Sequence, residues 1–203
     1  MTVPGLYIFG FGGHARSVGD VALAAGVPAL VFVDPAARPG ENFAGFAVQA
    51  ELPADPEPGW SSFPAAGDNR RRRELFASLP SHQLALVAPT ASIGRGAILS
   101  DAVFIGHQAH VGPLAQIGRG VIINSGAVLD HESGIGDFSH VAVNATVAGR
   151  CKLGSEVFIG AGATVIDGIR ITDGVTVGAG ATVTRDLLEP GVYVGTPARL
   201  IRR

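Results

Sequence analysis

From Val87 onward every sixth residue is aliphatic: Ile93, Leu99, Ile105, Val111, Ile117, Ile123, Leu129, Ile135, Val141, Val147, Leu153, Ile159, Val165, Ile171, Val177 and Val183 follow without a slip. If one residue in three were aliphatic, chance would produce such a run roughly once in 10⁸ trials. The next position is often glycine, as at Gly94, Gly106, Gly112, Gly136 and Gly154. Four positions beyond each aliphatic residue a small one is usual, as at Ala91, Ala109, Ser133, Cys151 and Ala163. A period of six fits neither the 3.6 of an α-helix nor the 2 of a flat strand. It fits short straight segments joined at corners, three to a triangular circuit of about 18 residues, with the aliphatic residue inside, the small residue near the corner and glycine relieving the turn. Stacked at a strand spacing of about 4.8 Å, between five and six circuits would stand about 25 Å tall. The pattern predicts a left-handed parallel β-helix.

Before the ladder the pattern changes. Leu6 to Phe9 reads as a buried strand, followed by the turn Gly10-Phe11-Gly12-Gly13-His14-Ala15. An amphipathic helix is expected from Ala15 to Ala25, stopped by Gly26, and a second strand from Ala29 to Val33 ends at Asp34. Further elements are a strand over Ser62 to Gly67, a helix capped by Asp68 or Asn69 and running to about Leu79, and a hairpin-like stretch around Phe43 to Val48. The fold class is therefore mixed: a small N-terminal α/β Rossmann-like domain (1–82), then the β-helix (83–203). The glycine turn aims backbone N–H groups at an anion on a helix N-terminus. Gly10-x-Gly12-x-x-Ala15 with Asp34 satisfies the dinucleotide fingerprint, the acid being placed for a ribose hydroxyl. A region this short is little more than half a dinucleotide fold, so a nucleotide-sugar is expected in preference to NAD; a merely structural turn is the other alternative. Arg70 to Arg73 read as a solvated helix face.

Composition narrows the setting. Glycine, at 29 of 203 residues, is about twice its ordinary frequency but lacks a collagen-like period. A single cysteine, Cys151, forms no disulfide within one chain and suits a reducing compartment. The N-terminus lacks the basic segment of a signal peptide, and no apolar run approaches the ~18 residues of a membrane span. A cytoplasmic protein without membrane or nucleic-acid partners is expected.

The densest polar chemistry in the ladder lies between Asn124 and His140. With residues 18 apart in one column, Gly149 should sit one circuit from His131 on the same edge. An imidazole beside an accessible amide suits acyl transfer, the base taking a proton from an attacking amine while the amide meets the developing oxyanion. Glu132 would hold the imidazole if a corner brings the neighbouring side chains together. The column Ser125, Val143, Ala161, Ala179, Pro197 is small enough to offer backbone to a pantetheine arm, although small residues also serve simply to let turns pack. His131 and His140 are about half a circuit apart, so if both serve one site it lies between subunits. His107 and His110 read as solvent or interface residues, His82 as a linker residue.

With these residues in view, the chain resembles the hexapeptide sugar acyltransferases often grouped as the sialic acid O-acetyltransferase family. It is most similar to the branch that N-acetylates nucleotide-linked 4-amino-4,6-dideoxysugars, the bacillosamine-pathway and perosamine enzymes. The resemblance rests on Gly12-Gly13-His14-Ala15, Ala66-Gly67-Asp68-Asn69, His131-Glu132 with Gly136-Asp137-Phe138-Ser139-His140, and Val194-Gly195-Thr196-Pro197-Ala198. It implies a homotrimer with interfacial active sites, acetyl-CoA as co-substrate and no metal. His131 matches the general base and Glu132 its neighbouring carboxylate. Asn124 matches a sugar-facing residue, His140 and Gly149 acetyl-CoA contacts, and Gly13, His14 and Asp34 the nucleotide-sugar pocket. One departure is Val87-Ala88-Pro89, where the family shows an Ile-His-Pro-like segment. The alternatives are O-acetylation of a sugar hydroxyl, a non-catalytic nucleotide-binding scaffold, and a zinc lyase with histidines gathered at an interface. Cys151, at a small interior position, is not expected to carry the acyl group.

Overall fold

The computed structural model describes residues 3–79 and 85–202. The expected boundary at residues 82 and 83, with His82, lies outside them. Strands β1 (Leu6–Phe9), β2 (Leu30–Val33), β3 (Asn42–Phe43), β4 (Phe46–Gln49) and β5 (Ser61–Pro64) form one sheet in the order β3-β4-β2-β1-β5. Its neighbours are parallel except for the β3–β4 hairpin. Helix α1 spans Gly13–Ala24, starting two residues earlier than Ala15, because Gly12 serves as its N-cap and His14 enters its first turn. No side chain caps this end, which leaves its N–H groups available to a ligand. Helix α2 (Asn69–Ser78) is capped by the Asp68 carboxylate, which accepts from the Arg71 N–H at 2.8 Å.

From Leu86 the chain winds as the expected left-handed parallel β-helix. Its registers advance by 18: Leu86 pairs with Phe104, Phe104 with Ile122, Ile122 with His140 and His140 with Phe158. The three faces are sheets of five, six and eight strands, the last closed by antiparallel Val192–Val194 and Arg199–Arg202. Ladder residues from Ile105 to Val183 are buried inside, while Ile93 in the first circuit is partly exposed at the open end.

The glycines following the ladder have a different purpose from the one the repeat suggests. The left-handed backbone falls two residues later, at every sixth position from Gly96 to Gly180, and eight of these corners, among them Leu114, Glu132 and Phe138, are not glycine. After the ladder, glycine is required by close stacking. A Cβ at Gly112 would stand 2.3 Å from the main-chain nitrogen of His131, and one at Gly94 equally close to that of Pro113.

The N-terminal domain docks on the outside of the eight-stranded face. Phe104 and Ile122 point outward there and belong to the same apolar cluster as Ile8, Ala15 and Phe32. The five-stranded face carries residues such as Gln116, Lys152 and Arg170 outward. The arginine run corrects the sequence reading at one position. Arg70 and Arg71 pair with Glu74, and Arg73 with Glu156, all in partly solvated settings. Arg72 is fully buried. It faces the β-helix because α2 lies along a corner of the coil, and one face of that helix has no water to meet.

Candidate active site

His131 and Glu132 form the corner between the strands Val128–Leu129 and Gly134–Ile135. Adjacent residues on a straight strand face opposite ways, but Glu132 is left-handed, with φ 59°. That corner brings its Oε1 to 3.2 Å from His131 Nδ1. A carboxylate accepts only, so Nδ1 donates in this bond, and it is the neutral ring in this tautomer that has a lone pair on Nε2. The ring lies against Gly149, where a Cβ would come within 2.4 Å of Cε1 and Nε2. The two coils are held in register by the Arg150 N–H, which donates to the His131 carbonyl at 2.8 Å. Lys152 Nζ donates to the Glu132 carbonyl at 2.9 Å and secures the corner from the side. With its side chain 37% exposed, His131 stands at the protein surface.

A second polar group is sealed between the domains. His140 Nδ1 donates to the Gly67 carbonyl at 3.3 Å, and its Nε2 accepts from Asn124 Nδ2 at 3.2 Å. The Asn124 amide is oriented by the Ser125 N–H, which donates to Oδ1 at 2.8 Å. Burial, reinforced by the Arg72 cation and opposed by the Gly67 bond, holds the His140 pKa down at about 4. Burial, then Arg72, then His140 bring His14 to about 3. Both imidazoles are therefore neutral near pH 7. His14 packs edge-on against Phe104 at 4.9 Å, and its buried Nε2 has no hydrogen-bond partner among the described residues.

Beside this seam opens a cleft of about 560 Å³, lined by Gly12, Gly13, His14, Asp34, Ala66, Gly67 and Arg71, among others. Asp34 shapes its mouth: Oδ2 accepts from the Phe11 N–H at 2.8 Å and Oδ1 from the Ala36 N–H at 2.9 Å. The carboxylate thus ties the glycine turn to the end of β2.

Two family models match, the PglD N-terminal domain over residues 5–79 and the bacterial transferase hexapeptide over residues 150–185. Among solved structures, the acetyltransferase domain of PglB from Neisseria gonorrhoeae FA1090 is 29% identical, with a TM-score of 0.90 over 98% of this chain and 100% of that one. That domain is also known in complex with acetyl coenzyme A. PerB from Caulobacter crescentus, solved in complex with CoA and GDP-perosamine, is 32% identical, with a TM-score of 0.86 over 97% of each chain. The chain belongs to the bacillosamine- and perosamine-type sugar acetyltransferases.

In this sugar acetyltransferase the remaining residues singled out by sequence fall at different places on the coil. Ala161 and Ala179 are exposed along the corner that also carries Asn124 and Ser125; Pro197 is exposed too but leaves that column, because the last pairings, Thr176 with Val192 and Val177 with Tyr193, advance by 16 and not 18. The chain stacks there through Gly162 N–H to the Val143 carbonyl and Gly180 N–H to the Ala161 carbonyl. His131 and Gly149 occupy the next corner, across the six-stranded face, and His140 lies on the eight-stranded face against the N-terminal domain. His107 joins the domain seam, its Nδ1 2.8 Å from Thr90 Oγ1 and its Nε2 3.4 Å from the Asp20 carboxylate on α1. Sequence reading missed the burial of Arg72 and His140. The available signal was the outward column Leu86, Phe104, Ile122, Phe158, too apolar for a solvated face. Among the described residues no three His, Cys, Asp or Glu side chains converge as metal ligands, and no helix is long and apolar enough to cross a membrane.

Proposed function

We propose that this acetyltransferase moves an acetyl group from acetyl-CoA to the C4 amine of a nucleotide-linked 4-amino-4,6-dideoxysugar, in a direct attack with His131 as general base. The reading is carried by one observation: His131 offers a bare Nε2 beside the side-chain-free Gly149, while Glu132 occupies the opposite ring nitrogen. The neutral amine attacks the thioester carbon, Nε2 takes the proton as the C–N bond forms, and the C–S bond breaks to release CoA as thiolate. The Gly149 amide is placed to meet the oxyanion that develops between these events. Gly12, Gly13, His14 and Asp34 form the nucleotide-sugar pocket, with the phosphates toward the uncapped end of α1.

Asn124 faces the sugar and His140 the acetyl group, while Ala161, Ala179 and Pro197 line the pantetheine arm. His131 and Gly149 occupy one corner of the coil and Asn124, Ala161 and Ala179 another, which supports a homotrimer whose sites form between subunits. The known complex of PerB with CoA and GDP-perosamine supports both the co-substrate and the class of acceptor. Dependence on acetyl-CoA supports a cytoplasmic setting for the reaction. The test is a panel of UDP-, dTDP- and GDP-linked 4-amino sugars with acetyl-CoA, scored for released thiol and for the acetylated atom. One member should turn over, and His131→Ala should lower its kcat by about 10²–10⁴ with CoA binding retained. Acetylation at a hydroxyl, or full turnover without His131, would overturn this reading.

A further inference from the structure

Arg72 is the largest buried polar side chain among the described residues, and no carboxylate there reaches it within ion-pair distance. All of its N–H groups are used. Nε donates to the Gly120 carbonyl at 2.6 Å. Nη1 donates to the carbonyls of Ala66 and Gly67 at 2.9 and 3.2 Å. Nη2 donates to the carbonyls of Phe138 and Ser139 at 2.8 and 3.1 Å and to Asn69 Oδ1 at 2.8 Å. Gly120 and Phe138 are 18 apart, the same corner on successive coils, so one guanidinium clamps two coils of the β-helix to the wall of the nucleotide cleft.

The contacts converge on His140. Ser139 immediately precedes it, and the Gly67 carbonyl accepts from both Arg72 Nη1 and His140 Nδ1. Ala66 and Gly67 also line the cleft. The charged and titratable groups around this knot are His14 on α1, Asp68 and Arg72 on the α2 side, and Glu156 on the coil. A buried cation held by carbonyl dipoles, with Asp68 and Glu156 beyond ion-pair distance, costs desolvation that a packed apolar residue would avoid, so its value lies in geometry. A lysine has three donors on one atom and cannot reproduce the planar fork.

We propose that Arg72 is a positioning residue for acetyl transfer, fixing the Gly67 carbonyl and through it the orientation of His140 and Asn124 relative to the nucleotide cleft. The proposal rests on the reading above, in which His140 and Asn124 face the acetyl group and the sugar. Displacement by about 1 Å far from the reacting atoms is enough to cost about 10²-fold in rate.

The test compares Arg72→Lys and Asn69→Ala with the wild-type enzyme, using GDP as the nucleotide probe and ¹⁵N-labelled histidine. Asn69→Ala removes one Arg72 acceptor at the first residue of α2, along with the Nδ2 bond to the Val157 carbonyl, and leaves the guanidinium in place, so it reports even if Arg72→Lys fails to fold. The expected result is a fall in kcat, about 10-fold or more for Arg72→Lys and about threefold for Asn69→Ala, with GDP affinity within threefold of wild type. The His140 imidazole should also lose its fixed Nδ1–H tautomer or change its titration. Unmoved His140 resonances in a folded variant overturn the proposal, as does a loss of kcat matched by the loss of folded protein. A parallel His140→Ala variant with unchanged kcat and CoA affinity would instead sink the functional reading, whatever the resonances in the Arg72 variant show.

Discussion

The imidazole of His131 rests on Gly149 one coil away, so closely that a methyl group there would enter the ring at 2.4 Å. The contact falls on the end of a flexible side chain, so the ring can move aside and the fold survives. Gly149→Ala should therefore cost stability less than about 1 kcal/mol while lowering kcat about 10–10²-fold, because the proposed general base is turned from its place. Steady-state kinetics alongside urea unfolding would show the split. Full turnover in the alanine variant would mean that the ring position is immaterial.

Gly112 offers the contrasting case. A Cβ there meets the main-chain nitrogen of His131 at 2.3 Å, and backbone cannot swing away as a ring can. Gly112→Ala has to push neighbouring coils apart, so it should lose about 1–3 kcal/mol along with activity. Chemical denaturation measures this directly, and a midpoint equal to that of Gly149→Ala would contradict it.

Stability should fall as the solution is acidified through pH 6.5. His14 and His140 stay neutral in the fold down to about 3 and about 4, whereas in the unfolded chain they take up protons near 6.5. Between those values the unfolded state binds more protons. Stability is thus complete above pH 6.5 and declines toward pH 4, by at most about 1.4 kcal/mol per pH unit for each imidazole. Melting temperatures from pH 7 to 4.5 should drop less steeply in His14→Asn than in the wild type. Parallel curves would show that His14 titrates normally in the fold.

Cys151 should be dispensable for chemistry. It lies inside the coil, its Sγ 3.2 Å from the Ile166 carbonyl, and burial raises its pKa so that the reactive thiolate is scarce. Cys151→Ala should keep kcat within about twofold, and native protein should resist iodoacetamide. Trapping of an acetylated cysteine by mass spectrometry would reverse this expectation.

How much of this was readable from residues alone depended on what each feature repeats. The interior ladder and the pairing of His131 with Gly149 follow from a fixed advance of 18, so arithmetic on the sequence locates them. The same arithmetic misassigned the ladder glycines, because a turn and a close approach select the same residue. Arg72 sits among four arginines, and nothing local separates the one that faces the coil from the three that face water. Its burial, like that of His140, is decided by the docking of α2 on the corner that carries Gly120 and Phe138. That is a tertiary event, visible in the sequence only as the apolar outward column of one face.

Because strands recur every six residues and faces every 18, change along this molecule comes in fixed steps. Six residues added in the coil would keep the interior filled, yet swing everything beyond them by a third of a turn relative to the domain docked on its eight-stranded face. Eighteen would preserve every edge and lift it by a single strand spacing, about 4.8 Å. A lineage of such enzymes can therefore widen or shorten the reach between acceptor and acyl donor only in whole coils, with finer adjustment left to the loops that leave the corners.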